Sequence, residues 1–284
     1  GNGIHWQKSC RRPGRSHPLF PSWQERRPMK RNSTDWLKTA AVVLVLFSLW
    51  ILTARMGIFS SYILPGPEKV LKAFVKMAAS GELLSNTAAS LIRVFIGFAV
   101  SFVLAFGFGI LACLKPKADP YYRPILEFIR HIPPIALIPL LILWFGIGEM
   151  SKLIIIVLTA FFPIFINTEA GLKNCDPKLL EVGKVLHMTP VQQFFQIRLP
   201  AAAPSILTGM QIGLGYSWRA IVGAEMIAAA SGLGYMILDA QSLSSSDKVL
   251  VGILMIGVLG LLMDTLFTKL IGKASWSKGN THGQ

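Results

Sequence analysis

Six stretches of about twenty mostly apolar residues each, separated by short polar linkers, constrain this chain more than any other feature. They run over residues 36–54, 94–114, 125–145, 153–168, 206–227 and 249–270. Lipid offers backbone N–H and C=O groups no partner, so runs of this length must close their own hydrogen bonds as helices. The expected fold class is therefore all-α, an integral membrane bundle of six transmembrane helices. Composition agrees: 52% hydrophobic and 15% charged residues, with a mean hydropathy of +0.53, are too apolar for an ordinary soluble domain. The second run carries no charge from end to end. Pro133, Pro134 and Pro139 interrupt the third and predict a kink there.

A net charge of +14 would suit a nucleic-acid binder, but the cations are distributed as membrane topology requires. Arg26, Arg27, Lys30, Arg31 and Lys38 precede the first run; Lys115, Lys117 and Arg123 follow the second. Lys173, Lys178, Lys184 and Arg198 follow the fourth, and Lys269, Lys273 and Lys278 close the sixth. All fall on one side of a six-span topology, which places that side and both termini in the cytoplasm. Nucleic acid is accordingly not an expected partner; membrane lipid is. Residues 1–34 read as a disordered basic tail, with Met29 a natural start and residues 1–28 upstream of it. Residues 35–272 form the membrane domain and 273–284 a cytoplasmic tail. Cys10, Cys113 and Cys175 make no CxxC or Cys/His cluster, so neither a metal site nor a disulfide framework is expected.

Two linkers carry structure of their own. Leu64-Pro65-Gly66-Pro67 is a turn signal, and over residues 68–79 Val70, Leu71, Phe74 and Val75 oppose Lys69, Lys72 and Lys76. That pattern predicts an amphipathic helix on the membrane surface, ended near Gly81. The loop at 169–205, roughly forty residues between spans, is too long for a plain connector. Asp176-Pro177 and Thr189-Pro190 each join an N-cap to a proline at the first helical position, predicting two short helices. The first carries Leu179, Val182 and Leu186 on one face, with Gly183 expected to let a partner surface come close. Elsewhere, Gly209 with Gly213 and Ala105 with Gly109 are small-residue pairs that permit close helix packing.

Within this loop Glu181-Val182-Gly183, three residues, His187, nine residues and Ile197-Arg198-Leu199-Pro200 resembles the "EAA" signature of binding-protein-dependent ABC importer permeases. Val182-Gly183 stands where that signature has Ala-Ala, and His187 where it has Gly. The resemblance covers residues 35–271. It extends to Ile63-Leu64-Pro65-Gly66-Pro67, Ser90-Leu91-Ile92-Arg93, the segment from Ala136 to Glu149, and Glu225 with Gly232-Leu233-Gly234-Tyr235. These segments are similar to permeases of the aliphatic-sulfonate, taurine and nitrate group. The resemblance implies that Glu181, Val182, Gly183, His187, Ile197, Leu199 and Pro200 build a coupling helix that inserts into an ATP-binding subunit. It also implies two copies of that subunit, a second permease copy as a homodimer, an extracytoplasmic solute-binding protein, and the inner membrane of a bacterium. The chain has no GxxxxGK[ST] loop, so ATP and Mg²⁺ belong to the partner; no catalytic residue and no cofactor is expected here.

Ionisable residues inside spans invite functional readings. Arg219 lies about 13 residues into the fifth span, about 20 Å from its start, beyond the bilayer midplane. With Glu225 it is assigned to the substrate path, as a cation facing a small oxyanion; pairing of Arg219 with Glu225 or Asp264 is the structural alternative. His131 reads as a cytoplasmic-edge residue. An aliphatic sulfonate is the expected cargo, with taurine, nitrate or a pyrimidine precursor as alternatives. A secondary transporter would have no use for the cytoplasmic signature, and a membrane enzyme would need an HExxH, GxSxG or paired-carboxylate arrangement that this sequence lacks.

Overall fold

The computed structural model describes residues 33–57 and 60–279, and every regular element among them is helical. The expectations for residues 1–32 lie outside the described residues. The chain divides into two compact units between Leu52 and Thr53. The first contains most of α1 (Ser33–Arg55), where Val43, Leu44, Val45 and Leu46, four consecutive residues, are each more than half exposed. A helix apolar on every side finds its favourable solvent in lipid.

The second unit contains α2 (Pro67–Ala79), α3 (Glu82–Leu114), α4 (Asp119–Arg130), α5 (Ile138–Phe145), α6 (Glu149–Lys173), α7 (Pro177–Val185), α8 (Pro190–Gln193), α9 (Leu199–Ala228), α10 (Leu233–Ser242) and α11 (Ser246–Gly279). Helix α6 is central, sandwiched between α3 and α9. Small residues set both seams. A Cβ on Gly109 would stand 2.6 Å from Thr168, and one on Gly209 would stand 2.7 Å from Asn167 and 2.8 Å from the Pro163 carbonyl. The two small-residue pairs of the sequence therefore fall on the two faces of one helix.

Residue pairings give the directions. Arg93 meets Glu149 and Gly97 meets Ile156, so α3 and α6 run parallel. Gly171 meets Ala202 and Gly213 meets Ile164, so α9 runs antiparallel to α6. Trp218 donates to the Ile256 carbonyl and Gln211 to Asp264, so α11 is antiparallel to α9. Parallel neighbours need a return crossing between them, and α4 with α5 supplies it. Asp119 at the start of α4 lies beside Lys173, whereas α5 leads directly to Glu149 at the other end of the bundle. The return is not the single kinked helix expected over 125–145. It is two helical segments bent by 85°, because Pro133 is extended (φ −60°, ψ 123°) before Pro134, and a residue preceding proline is driven out of the α region. His131, exposed, is the C-cap of α4 at this break. Among the described residues four helices are long and apolar enough to cross a membrane, or up to six spans when each bent pair counts as one.

Helix α2 also differs from expectation. It buries Val70, Ala73 and Met77 and leaves Leu71, Phe74 and Val75 exposed. Its buried stripe packs on α3 and α11, so α2 is docked to the bundle and offers lipid only its flank. Gly81, at φ +78°, turns the chain from α2 into α3.

Candidate functional site

The loop between α6 and α9 lies at one end of the bundle. Asp176 caps α7 by accepting from the Lys178 N–H at 2.9 Å, and Thr189 caps α8 in a reciprocal capping box with Gln192. Helix α7 ends in a Schellman arrangement: the Met188 N–H donates to the Gly183 carbonyl and His187 adopts φ +52°. His187 thus occupies the left-handed conformation that glycine usually supplies. It keeps the turn of the signature at some conformational cost. Helix α8 is not the separate short helix expected, since residues Phe194–Arg198 continue it through one π-helical turn into α9.

Gly183 serves a different contact from the one its position suggested. A Cβ there would stand 2.7 Å from Ile197 Cδ1 and 3.1 Å from Gln193 Cγ. Its small size lets the chain's own π turn close against α7, and ties the first part of the signature to the Ile of its last part. The surface left for a partner is the face of Leu179, Val182 and Leu186, which are 46%, 53% and 62% exposed. Glu181 is exposed beside it; Ile197, Leu199 and Pro200 are half-buried beneath it.

The opposite end is held by an ionic cluster that spacing alone did not assemble. The five N–H groups of Arg93 on α3 are all used. Nε and one terminal nitrogen donate to Glu149 at 2.6 and 2.8 Å; the other bonds go to Glu225 at 2.8 Å, the Ser231 carbonyl at 2.8 Å and the Ser231 hydroxyl at 2.7 Å. Glu225 is 1% exposed and also accepts from Ser90 and from the Gly234 N–H. Lys152, itself buried, completes Glu149 at 2.7 Å. Two carboxylates face two cations, so the cluster is formally neutral and nearly saturated with hydrogen bonds, the condition for burying charge. Gly232, at φ +115°, makes room for it: a Cβ there would meet the Glu225 carboxyl carbon at 2.2 Å.

Comparison with known proteins places this architecture. Residues 105–274 match the family described as binding-protein-dependent transport system inner membrane component. The chain belongs to that family. Among its relatives, the putative aliphatic sulfonates transport permease protein SsuC of Bacillus subtilis is 38% identical over 241 residues, covering 85% of this chain and 87% of that protein. The taurine transport system permease protein TauC of Escherichia coli is 34% identical over 242 residues, 84% of this chain and 87% of that one. An inward-facing structure of the MetNI methionine ABC transporter shares the fold, with a TM-score of 0.60 at 19% identity over 69% of this chain and 97% of that one. The chain is thus a multi-pass membrane permease subunit of an ABC importer.

The two residues assigned to the permease's substrate path separate in the structure. Glu225 is consumed by the buried cluster and cannot line a path. Arg219 pairs with neither Glu225 nor Asp264: its guanidinium lies 5.8 Å from the centre of the Tyr216 ring, and it is exposed. Asp264 accepts instead from Gln211 at 2.9 Å. On α9, Ile212, Tyr216, Arg219 and Gly223 share one face by helical spacing. A Cβ on Gly223 would meet Ile135 of the break at 2.6 Å, so this face turns toward the broken span.

Proposed function

We propose that this permease, as a homodimer served by two ATP-binding subunits and an extracytoplasmic binding protein, imports an aliphatic sulfonate across a bacterial inner membrane. The observation that carries the coupling role is the exposed Leu179, Val182 and Leu186 face, held out by capped α7 and braced from behind by Gly183 on Ile197. An apolar patch of this kind on a short rigid helix suits insertion into a partner's groove. Because α7 is bonded to the π turn that opens α9, a push on α7 moves the base of a helix that crosses the whole bundle. ATP-driven approach of the partner subunits would then switch the dimer between inward-open and outward-open states. ATP and Mg²⁺ remain with the partner, and this chain contributes no catalytic group.

The sulfonate assignment is supported by similarity to SsuC proteins of Bacillus subtilis and Escherichia coli, at 38% and 37% identity. Taurine and nitrate are the competing cargoes, supported by TauC and by the nitrate import permease protein NrtB of Synechocystis, 38% identical over 62% of this chain. The basic signature loop defines the cytoplasmic side, and six spans bring both termini to it. The deciding experiment reconstitutes the permease with its ATPase and binding protein in liposomes and measures uptake of labelled ethanesulfonate, taurine and nitrate. ATP-dependent accumulation with ethanesulfonate preferred is expected. Uptake that persists without ATP would identify a secondary transporter, and preference for another cargo would reassign the substrate.

A further inference from the structure

A cavity of about 380 Å³ opens between the end of α4, the middle of α6 and the exposed face of α9. Arg130, Thr159, Phe162, Asn167, Ile212 and Tyr216 are among its lining residues. The α6 contributions run from Leu158 to Asn167. Arg130 was not singled out in the sequence, although it falls within the apolar run at 125–145. It stands just before the 85° break, exposed and at the rim of this cavity.

The polar groups of this cavity are of one sign. No carboxylate lines it. The Thr159 hydroxyl donates to the Ile155 carbonyl and one Asn167 N–H to the Pro163 carbonyl, so Thr159 has no donor left and Asn167 has one. With it stand the Arg130 guanidinium and the Tyr216 hydroxyl, neither of which has a hydrogen-bond partner among the described residues. Two other arginines contrast with Arg130: Arg93 is saturated by Glu149 and Glu225, and Arg123 is held by Asp119 and Glu169. Arg130 also lines the adjoining space of about 100 Å³ with Glu127 and Glu169, of which Glu169 is already paired with Arg123 and Lys173. Arg130 is exposed in the single subunit and makes no ion pair among the described residues, so its guanidinium is open to an anion entering the cavity. Arg219 stands one turn further along α9, against the ring of the same Tyr216.

We propose that this cavity is the cargo site of the permease, in which Arg130 binds a small oxyanion through paired N–H donors, Tyr216 donates a third hydrogen bond, and Arg219 is the next cation on the path. The assignment rests on the importer function proposed above and names the residues that meet the cargo. A planar two-pronged donor matches two oxygens of a sulfonate or carboxylate head group. One such group per subunit holds the anion without trapping it.

The test is ATP-dependent uptake of labelled ethanesulfonate by liposomes containing the full complex, with assembly checked by co-purification of the ATPase subunit. Arg130→Gln is expected to lower uptake at least tenfold, Arg130→Lys to retain an intermediate rate, and Tyr216→Phe to lose several-fold. A second measurement separates anion binding from packing. Arg130→Cys, in a background with Cys10, Cys113 and Cys175 changed to Ser, is assembled first and then treated with 2-aminoethyl methanethiosulfonate, which restores a cation. Uptake should recover at least threefold, whereas 2-sulfonatoethyl methanethiosulfonate should give no recovery. Wild-type uptake in an assembled Arg130→Gln complex, or equal recovery with both reagents, overturns the site alone. A wild-type complex that imports no sulfonate overturns both the site and the substrate on which it rests.

Discussion

Arg93 and Glu225 stand 132 positions apart in the chain and 2.8 Å apart in space, an ion pair buried at the end of the bundle remote from the signature loop. Around it α3, α6, α9 and the chain leading into α10 are tied to one guanidinium, which makes that end the fixed point about which α9 can be moved from its other end. Removing one partner of a buried pair leaves the other charge uncompensated and costs about 3–5 kcal/mol. Glu225→Ala is expected to destabilise the purified permease by that amount in denaturant unfolding. Lys248→Ala breaks only the partly exposed pair with Glu82, and should cost less than about 1 kcal/mol. Equal effects would show that the cluster clamps nothing.

Gly232 is the narrowest point of the same cluster. Alanine there combines a 2.2 Å approach to the Glu225 carboxyl with a left-handed φ of +115°, and overpacking alone costs about 1–3 kcal/mol. Gly232→Ala should lower the melting temperature sharply. Gly107→Ala, inside α3 with nothing within 4 Å of the added methyl, should raise it by the helix-propensity gain of up to about 1 kcal/mol.

His187 offers the opposite case, a residue that a smaller one would improve. Its φ of +52° penalises any L side chain by about 1–2 kcal/mol, so His187→Gly should stabilise the loop and keep transport coupled, and His187→Val should weaken both. Inserting one residue between His187 and Ile197 moves Ile197 off Gly183. ATP hydrolysis should then continue without uptake, and coupled transport in that variant would remove the loop from the mechanism. Replacing Glu181, exposed on α7, should uncouple in the same way.

Sidedness is best read from α7. Cys175 lies in the basic loop, but it is only 8% exposed and should react slowly from either side. Val185 is 77% exposed. Val185→Cys, in the background with the native cysteines changed to Ser, should be labelled by an impermeant thiol reagent in inside-out vesicles and not in intact cells. The reverse pattern would invert the topology.

Arg219 lies against the Tyr216 ring and shares a pocket with Asp264 without forming an ion pair to it, and it is expected to act on the moving anion. Arg219→Gln should lower sulfonate uptake about tenfold, equivalent to about 1.4 kcal/mol, in a complex that assembles normally, and Arg219→Lys should be partly active. Normal uptake by Arg219→Gln would return the residue to a structural role.

Local rules carried much of this protein. Twenty-residue apolar runs can only be helices in lipid, Asp176-Pro177 and Thr189-Pro190 start helices through their own side chains, and the signature spacing encodes a turn and a brace a few residues apart. These features depend on contacts close in sequence, so the amino-acid order alone determined the bundle, the coupling loop and the family resemblance. Which charges neutralise each other was decided only in three dimensions. Glu225 and Arg219 lie six residues apart on one helix, yet their faces diverge by helical geometry, one toward Arg93 and the other toward Tyr216 and α11. Arg130 stands at a bend of 85° whose angle no proline count specifies. Pairing of buried charge depends on helix direction and rotation, and those were set by glycine seams between segments far apart in the chain.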